Sequence, residues 1–233
     1  MGEPISYTNR KGKTYYLHQS TTKTGKPRYT MKAVKKGAET ELPDGYEITE
    51  NVNGQVSVGI ARPRQITEIE EQFIRDKLAA LDLRWYRCQV KDACLIIYEP
   101  ITSYEQAREV IEAFMDPIEM MRRDFGHLSG FDNMVEEITQ SDAYRAYLNE
   151  VADPERRQAM VDQKIEERFG DVRVEPVLQF ELVDAENRRF WVHRMCFTGE
   201  PDWLPIDPNP LSINEAADRY MPHLGQESFF ELL

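Results

Sequence analysis

Asn9-Arg10-Lys11-Gly12-Lys13-Thr14-Tyr15-Tyr16-Leu17-His18, followed by Lys23-Thr24-Gly25-Lys26-Pro27-Arg28-Tyr29-Thr30-Met31, is the stretch that decides how this chain begins to fold. Tyr15–His18 and Arg28–Met31 are rich in the aromatic and branched residues that suit a pleated, half-buried surface. Lys11-Gly12 and Thr24-Gly25-Lys26-Pro27 supply turns between them. A second hairpin follows, Tyr46–Thr49 and Val56–Ile60, turning near Asn53-Gly54. Asn-Gly between strand-like runs is a strong hairpin signal. Residues 5–60 therefore predict an antiparallel β-meander. On its first long strand Tyr15 and Leu17 share one face, and Tyr16 and His18 the other.

Beyond Ala61-Arg62-Pro63-Arg64-Gln65 the pattern changes. Thr67 and Glu70 form a capping box, opening a helix to about Leu81 with an apolar stripe of Ile66, Ile69, Phe73, Ile74, Leu78 and Leu81. Arg84–Val90 and Ala93–Glu99 read as a hairpin turning at Lys91-Asp92, with Val90 facing Ala93 and Cys94 facing Gln89. Ser103 and Gln106 cap a further helix that Pro117 should kink or split. Helices are expected at about Asp132–Thr139 and Ser141–Val151. Another is capped by Asp153, with Pro154 at its first position and Gly170 past its end. Residues 172–183 and 189–198 read as a long hairpin. Leu178, Phe180 and Leu182 point inward on its first arm, and Trp191, Met195 and Phe197 share a face of the second. Pro201 to Pro210 is expected as a loop anchored by Trp203. Ser212 and Glu215 cap a final helix, and Ser228–Leu233 forms a last apolar turn.

The fold class is thus α+β, an N-terminal antiparallel β-meander followed by a mixed body of β-hairpins and helices. The expected division is a basic β-rich module over 1–61 and an acidic α+β body over 66–233, or one continuous domain through both.

Charge follows the same line. The 233-residue chain carries a formal −12, yet residues 1–40 hold nine lysines and arginines against two acids, a balance of +7, and the remainder stands at −19. Such a split points to a polyanion or an acidic protein partner meeting residues 10–36, or to docking of this arm on the protein's own acidic body. The candidate contact residues are Arg10, Lys11, Lys13, Tyr16, His18, Lys23, Lys26 and Arg28. Cations release counterions from phosphates and tyrosine faces stack on bases. The bland alternative is a solvated sheet edge whose lysines discourage edge pairing.

Other chemistries find less support. His18, His127, His193 and His223 lie far apart and match no zinc spacing, so no metal is expected. His193 and Cys196, three apart on a strand, face opposite sides. No Gly-x-Ser-x-Gly elbow, Walker-type run or Gly-x-Gly-x-x-Gly occurs, so neither a nucleophilic site nor a cofactor is expected. Glu70-Glu71, Glu136-Glu137 and Glu166-Glu167 read as solvated helix faces. Asp82 with Gln89-Val90-Lys91 is a degenerate echo of a metal-dependent nuclease. Three cysteines, with Cys88 and Cys94 on opposite faces of one hairpin, argue against disulfides and for a reducing compartment. No run approaches a membrane span, and Met1-Gly2-Glu3-Pro4 has no leader-like apolar core. A cytoplasmic setting is expected.

Asn9–Gly12, Tyr15–His18, Lys23–Tyr29, Leu42-Pro43-Asp44-Gly45-Tyr46-Glu47-Ile48 and the ending His223-Leu224-Gly225-Gln226-Glu227-Ser228-Phe229-Phe230-Glu231-Leu232 resemble a family of uncharacterised bacterial proteins. The resemblance spans both ends and implies a bacterial, cytosolic setting. No activity accompanies it, and no residue roles are carried over. The functional expectation is a non-enzymatic binding protein contacting nucleic acid or an acidic partner. The alternatives are a hydrolase or nuclease with an unrecognised site, and an acidic body docking on a basic protein.

Overall fold

The computed structural model describes residues 2–115, 117–196 and 201–232. Three turns shape its beginning, and they share one construction. In Asn9–Lys13, Thr22–Lys26 and Asn51–Gln55 a polar residue opens the turn and glycine stands three positions on. Each glycine N–H donates to the opening residue's carbonyl: Gly12 to Asn9 at 2.8 Å, Gly25 to Thr22 at 3.0 Å, Gly54 to Asn51 at 2.9 Å. Each opening side chain accepts from the backbone four residues on, at Lys13 (2.9 Å), Lys26 (3.0 Å) and Gln55 (3.0 Å). The glycines take φ of 72°, 80° and 77°, the left-handed region that a Cβ disfavours. Gly54→Ala is expected to cost about 1 kcal/mol, since its Cβ would meet only the flexible end of Lys11 and the strain is in the backbone. A shift in the urea midpoint checks this.

These turns join β1 (Ser6–Thr8), β2 (Thr14–Thr21) and β3 (Pro27–Lys32) into one antiparallel sheet, and β4 (Tyr46–Glu50) and β5 (Val56–Ile60) into a separate hairpin. The expected meander is present, as two sheets. Its first and third turns interlock, because buried Asn9 donates to the Gly54 carbonyl at 2.6 Å.

A five-stranded sheet follows, in the order β10-β9-β8-β7-β6, built from β6 (Arg87–Lys91), β7 (Cys94–Pro100), β8 (Val174–Asp184), β9 (Arg189–Cys196) and β10 (Asp202–Pro205). Leu178, Phe180 and Leu182 stand opposite Arg194, Val192 and Phe190. They share the core with Leu95 and Ile97, with Ile74 and Leu78 of α1 (Glu68–Ala80), and with Ala216, Ala217 and Tyr220 of α7 (Ile213–Tyr220). Phe229, in the closing 3-10 turn Glu227–Glu231, completes it.

Trp191 and Met195 lie on one face of β9, as expected, with Phe190 and Val192 on the other, and Phe197 lies outside the described residues. Several local expectations need correction. Ile69 is 82% exposed and falls off the α1 stripe. The β6–β7 register is shifted by one residue: Lys91 pairs with Cys94 and Val90 with Leu95, because the turn is Asp92-Ala93 with Asp92 at φ 55°. Cys88 and Cys94 still face opposite sides. Trp203 belongs to a strand, pairing with Met195, and not to a loop. Leu233, at the end of the expected last turn, lies outside the described residues.

The chain forms two compact units, Met1–Glu99 with Val174–Leu233, and Pro100–Arg173. The expected boundary near 62–65 therefore runs inside the first unit. Hydrogen bonds explain why: Gln89 Nε2 and Arg87 Nη1 donate to the carbonyls of Glu50 (3.1 Å) and Val52 (2.5 Å). The Asn53 side-chain amide both donates to the Val174 carbonyl (3.0 Å) and accepts from its N–H (2.9 Å). The second unit is helical: α2 (Tyr104–Ala113), α3 (Pro117–Phe125), α4 (Phe131–Gln140), α5 (Asp142–Ala152) and α6 (Pro154–Phe169). Pro117 splits α2 from α3, as its missing N–H and ring demand. Ala107, Ile111, Met115, Phe131, Val161 and Ile165 are buried there. No helix among the described residues is long and apolar enough to cross a membrane.

Candidate functional site

The residues singled out from charge scatter over the first unit, and their surroundings sort them. Leu17 is fully buried, which commits its face of β2 to the core. The other face is not free either. His18 is 8% exposed and donates through Nε2 to the Val34 carbonyl at 2.7 Å, so its ring does not face a ligand. Tyr16 is half-buried. Lys13 places its ammonium 5.4 Å from the centre of the Tyr15 ring. Lys11 lies along the third turn, its methylenes beside Gly54.

Lys23, Lys26 and Arg28 behave differently. All three are exposed, and among the described residues their side chains make no ion pair and no hydrogen bond. Docking on the acidic body does not account for them. The turn that carries Lys23 and Lys26 is fixed by five hydrogen bonds within Thr22–Lys26, so these cations are held out by an ordered backbone. Beside them runs an open groove of about 690 Å³ along β3 and β5, lined by Lys26, Arg28, Tyr29, Thr30, Tyr46 and Val58. Tyr29 and Tyr46 meet edge to face at 5.1 Å and 64°, each half-buried. Thr30 Oγ1 is buried without a hydrogen-bond partner among the described residues. The groove thus combines cations, tyrosine rings and hydroxyls.

Arg10 takes part in a second cleft, of about 560 Å³, that charge counting over residues 1–40 could not reveal. Arg64, which precedes α1, Arg75 on α1 and Arg87 on β6 line it too, with Glu50 and Glu71. Glu71 accepts from Arg64 through one oxygen and from Arg75 through the other, the latter at 2.5 Å. Burial by itself would raise the Glu71 carboxyl, but the hydrogen bonds from Arg75 and Arg64 outweigh it and hold the group below its usual range. Cys88 lies in the same wall. Burial pushes its thiol up to about 11, which leaves it protonated at neutral pH and unfit as a nucleophile.

The nuclease hint finds no convergence. Asp82 pairs with Arg84 at 3.2 Å, Asp92 with Arg62 at 2.9 Å, and among the described residues no three His, Cys, Asp or Glu side chains are grouped to hold a metal. His193 has a buried Nδ1 without a partner among the described residues, and burial lowers its pKa against the opposing pull of Glu181 at 3.9 Å. The three cysteines are thiols. Comparison with protein-family models, curated proteins and solved structures found nothing that matches this chain.

Proposed function

We propose that this chain is a cytoplasmic, non-enzymatic binding protein that takes single-stranded nucleic acid along the basic edge of its N-terminal sheet. One observation carries the reading: the β3–β5 groove sets Lys26 and Arg28, neither paired among the described residues, beside two tyrosine rings. Lysine and arginine neutralise successive phosphates, and half-open aromatic rings accept bases of any identity. The cations crown an ordered turn rather than a helix. That favours a strand lying across the sheet over a helix reading a duplex groove. An overall charge of −12 opposes nonspecific coating by nucleic acid and restricts contact to this edge.

Fluorescence anisotropy with a labelled single-stranded oligonucleotide tests it. Binding should weaken steeply with salt. Lys26→Ala or Arg28→Ala each removes one phosphate-neutralising cation and should flatten the log–log slope by about 0.7. The triple variant Lys23→Glu, Lys26→Glu, Arg28→Glu should abolish binding while the protein stays folded by circular dichroism. If the wild-type chain binds no DNA or RNA at low salt, the reading fails and an acidic protein partner takes its place. If the triple variant binds as well as wild type, the groove is the wrong surface.

A further inference from the structure

We infer that the arginine-lined cleft is a separate binding site for a phosphate monoester. Its walls come from positions far apart in sequence: Arg10 on the first turn, Arg64 before α1, Arg75 within α1 and Arg87 on β6. Four guanidinium groups face two carboxylates, a formal excess of two positive charges among the lining side chains. A phosphate monoester carries nearly two negative charges at neutral pH.

The carboxylates are placed to position the arginines rather than to compete with a ligand. The side chains of Glu50 and Glu71 are only 13% and 17% exposed, whereas those of Arg10, Arg64 and Arg75 are 35%, 41% and 48% exposed. Tyr7 donates to Glu50 at 3.1 Å from one side, and the Arg10 backbone N–H donates to it at 3.2 Å. Backbone carbonyls anchor three of the four arginines. Arg64 Nε donates to Ile66 at 2.9 Å, Arg75 Nη2 to Cys88 at 3.2 Å, and Arg87 Nη1 to Val52 at 2.5 Å. Arg64 and Arg75 engage protein acceptors through Nε and Nη2, and their Nη1 groups have none among the described residues. Two guanidinium groups fixed by one shared carboxylate, each with its Nη1 donors to spare, are pre-organised to donate together to one oxyanion. The volume exceeds that of a bare phosphate, and Val52 and Val90 contribute apolar wall. There is room for the organic part of a small phosphorylated molecule.

Isothermal titration and NMR of the arginine side-chain N–H groups, on the full chain, provide the test. The probes are inorganic phosphate, a nucleoside 5′-monophosphate and the matching unphosphorylated nucleoside. Phosphate and the monophosphate should bind and shift the Arg64 and Arg75 signals, and the nucleoside should not. Arg75→Lys keeps the charge but loses the fork, and should weaken binding about tenfold. Arg64→Gln should do at least as much. Either variant is read only if its thermal melt remains cooperative, and the other serves where one fails to fold. Lys23→Glu, Lys26→Glu, Arg28→Glu must leave phosphate binding intact, which separates this site from the groove along β3. No heat and no shift with either phosphate probe overturns the inference, as does equal binding of the nucleoside.

Discussion

Phe180→Ala should destabilise the first unit by about 3–5 kcal/mol, the range for truncating a phenylalanine in a closed core. Phe180 is fully buried in the middle of β8, directly opposite Val192 on β9, and belongs to one cluster with Ile74 and Leu78 of α1 and Tyr220 of α7. The cavity would open where the sheet meets its helical cover, and flanking β-structure cannot collapse into it without breaking register. Against a typical total stability of about 5–15 kcal/mol this is a large fraction. Urea denaturation followed by tryptophan fluorescence measures it. A loss below about 1 kcal/mol would mean that this face of the sheet is not the core.

The second large effect lies at the start of α1. Glu70 is a buried carboxylate with two tasks. It closes the capping box, accepting from the Thr67 N–H at 2.8 Å and hydroxyl at 2.9 Å. It also accepts from Arg188 Nε at 2.8 Å across 118 residues, tying α1 to the β8–β9 turn. Arg188 sits at φ 50°, so its backbone strain is held in place by this pair. Glu70→Ala should cost about 3 kcal/mol, combining a lost cap with a broken ion pair whose arginine retains some access to water. The pair should also show in the pH dependence. Burial would raise the Glu70 carboxyl, but Arg188 and Thr67 outweigh burial and hold it below its ordinary value of 4.5. A depressed carboxylate contributes stability above the unfolded-state pKa and loses it as pH falls through the lower folded-state value. The stability gap between wild type and Glu70→Gln should therefore be full at pH 7 and shrink below about pH 4.5. An unchanged gap at pH 3 would refute the role of charge.

What could be read from the sequence was what local chemistry decides. Thr67/Glu70, Ser103/Gln106 and Ser212/Glu215 mark helix starts because a capping box is complete within four residues, and all three close as expected. The inward alternation of Leu178, Phe180 and Leu182 likewise needs only the period of a strand. Pairing is not local. Which face of β9 is buried depends on its partner β8, and the one-residue shift of β6 against β7 depends on a single left-handed residue, Asp92. The division into units escaped for the same reason, since charge composition changes at 62–65 while the hydrogen bonds from Asn53, Arg87 and Gln89 run across that point. The candidate sites divide in the same way. Lys26 and Arg28 were visible as a local basic cluster. Arg64, Arg75 and Arg87 carry no shared local signal and converge only through the packing of α1 and β6 beside the Asn51–Gln55 turn.

The three alike turns have one more consequence. Hydrogen bonding and glycine fix their ends, so Arg10 and Lys11 in the first turn and Lys23 in the second contribute side chains to a frame that does not depend on them, whereas Asn53 in the third is itself tied to Val174. Scaffold and payload are separable here. Selection or an engineer can rewrite the cations that the first two turns display without asking the sheet to learn a new fold.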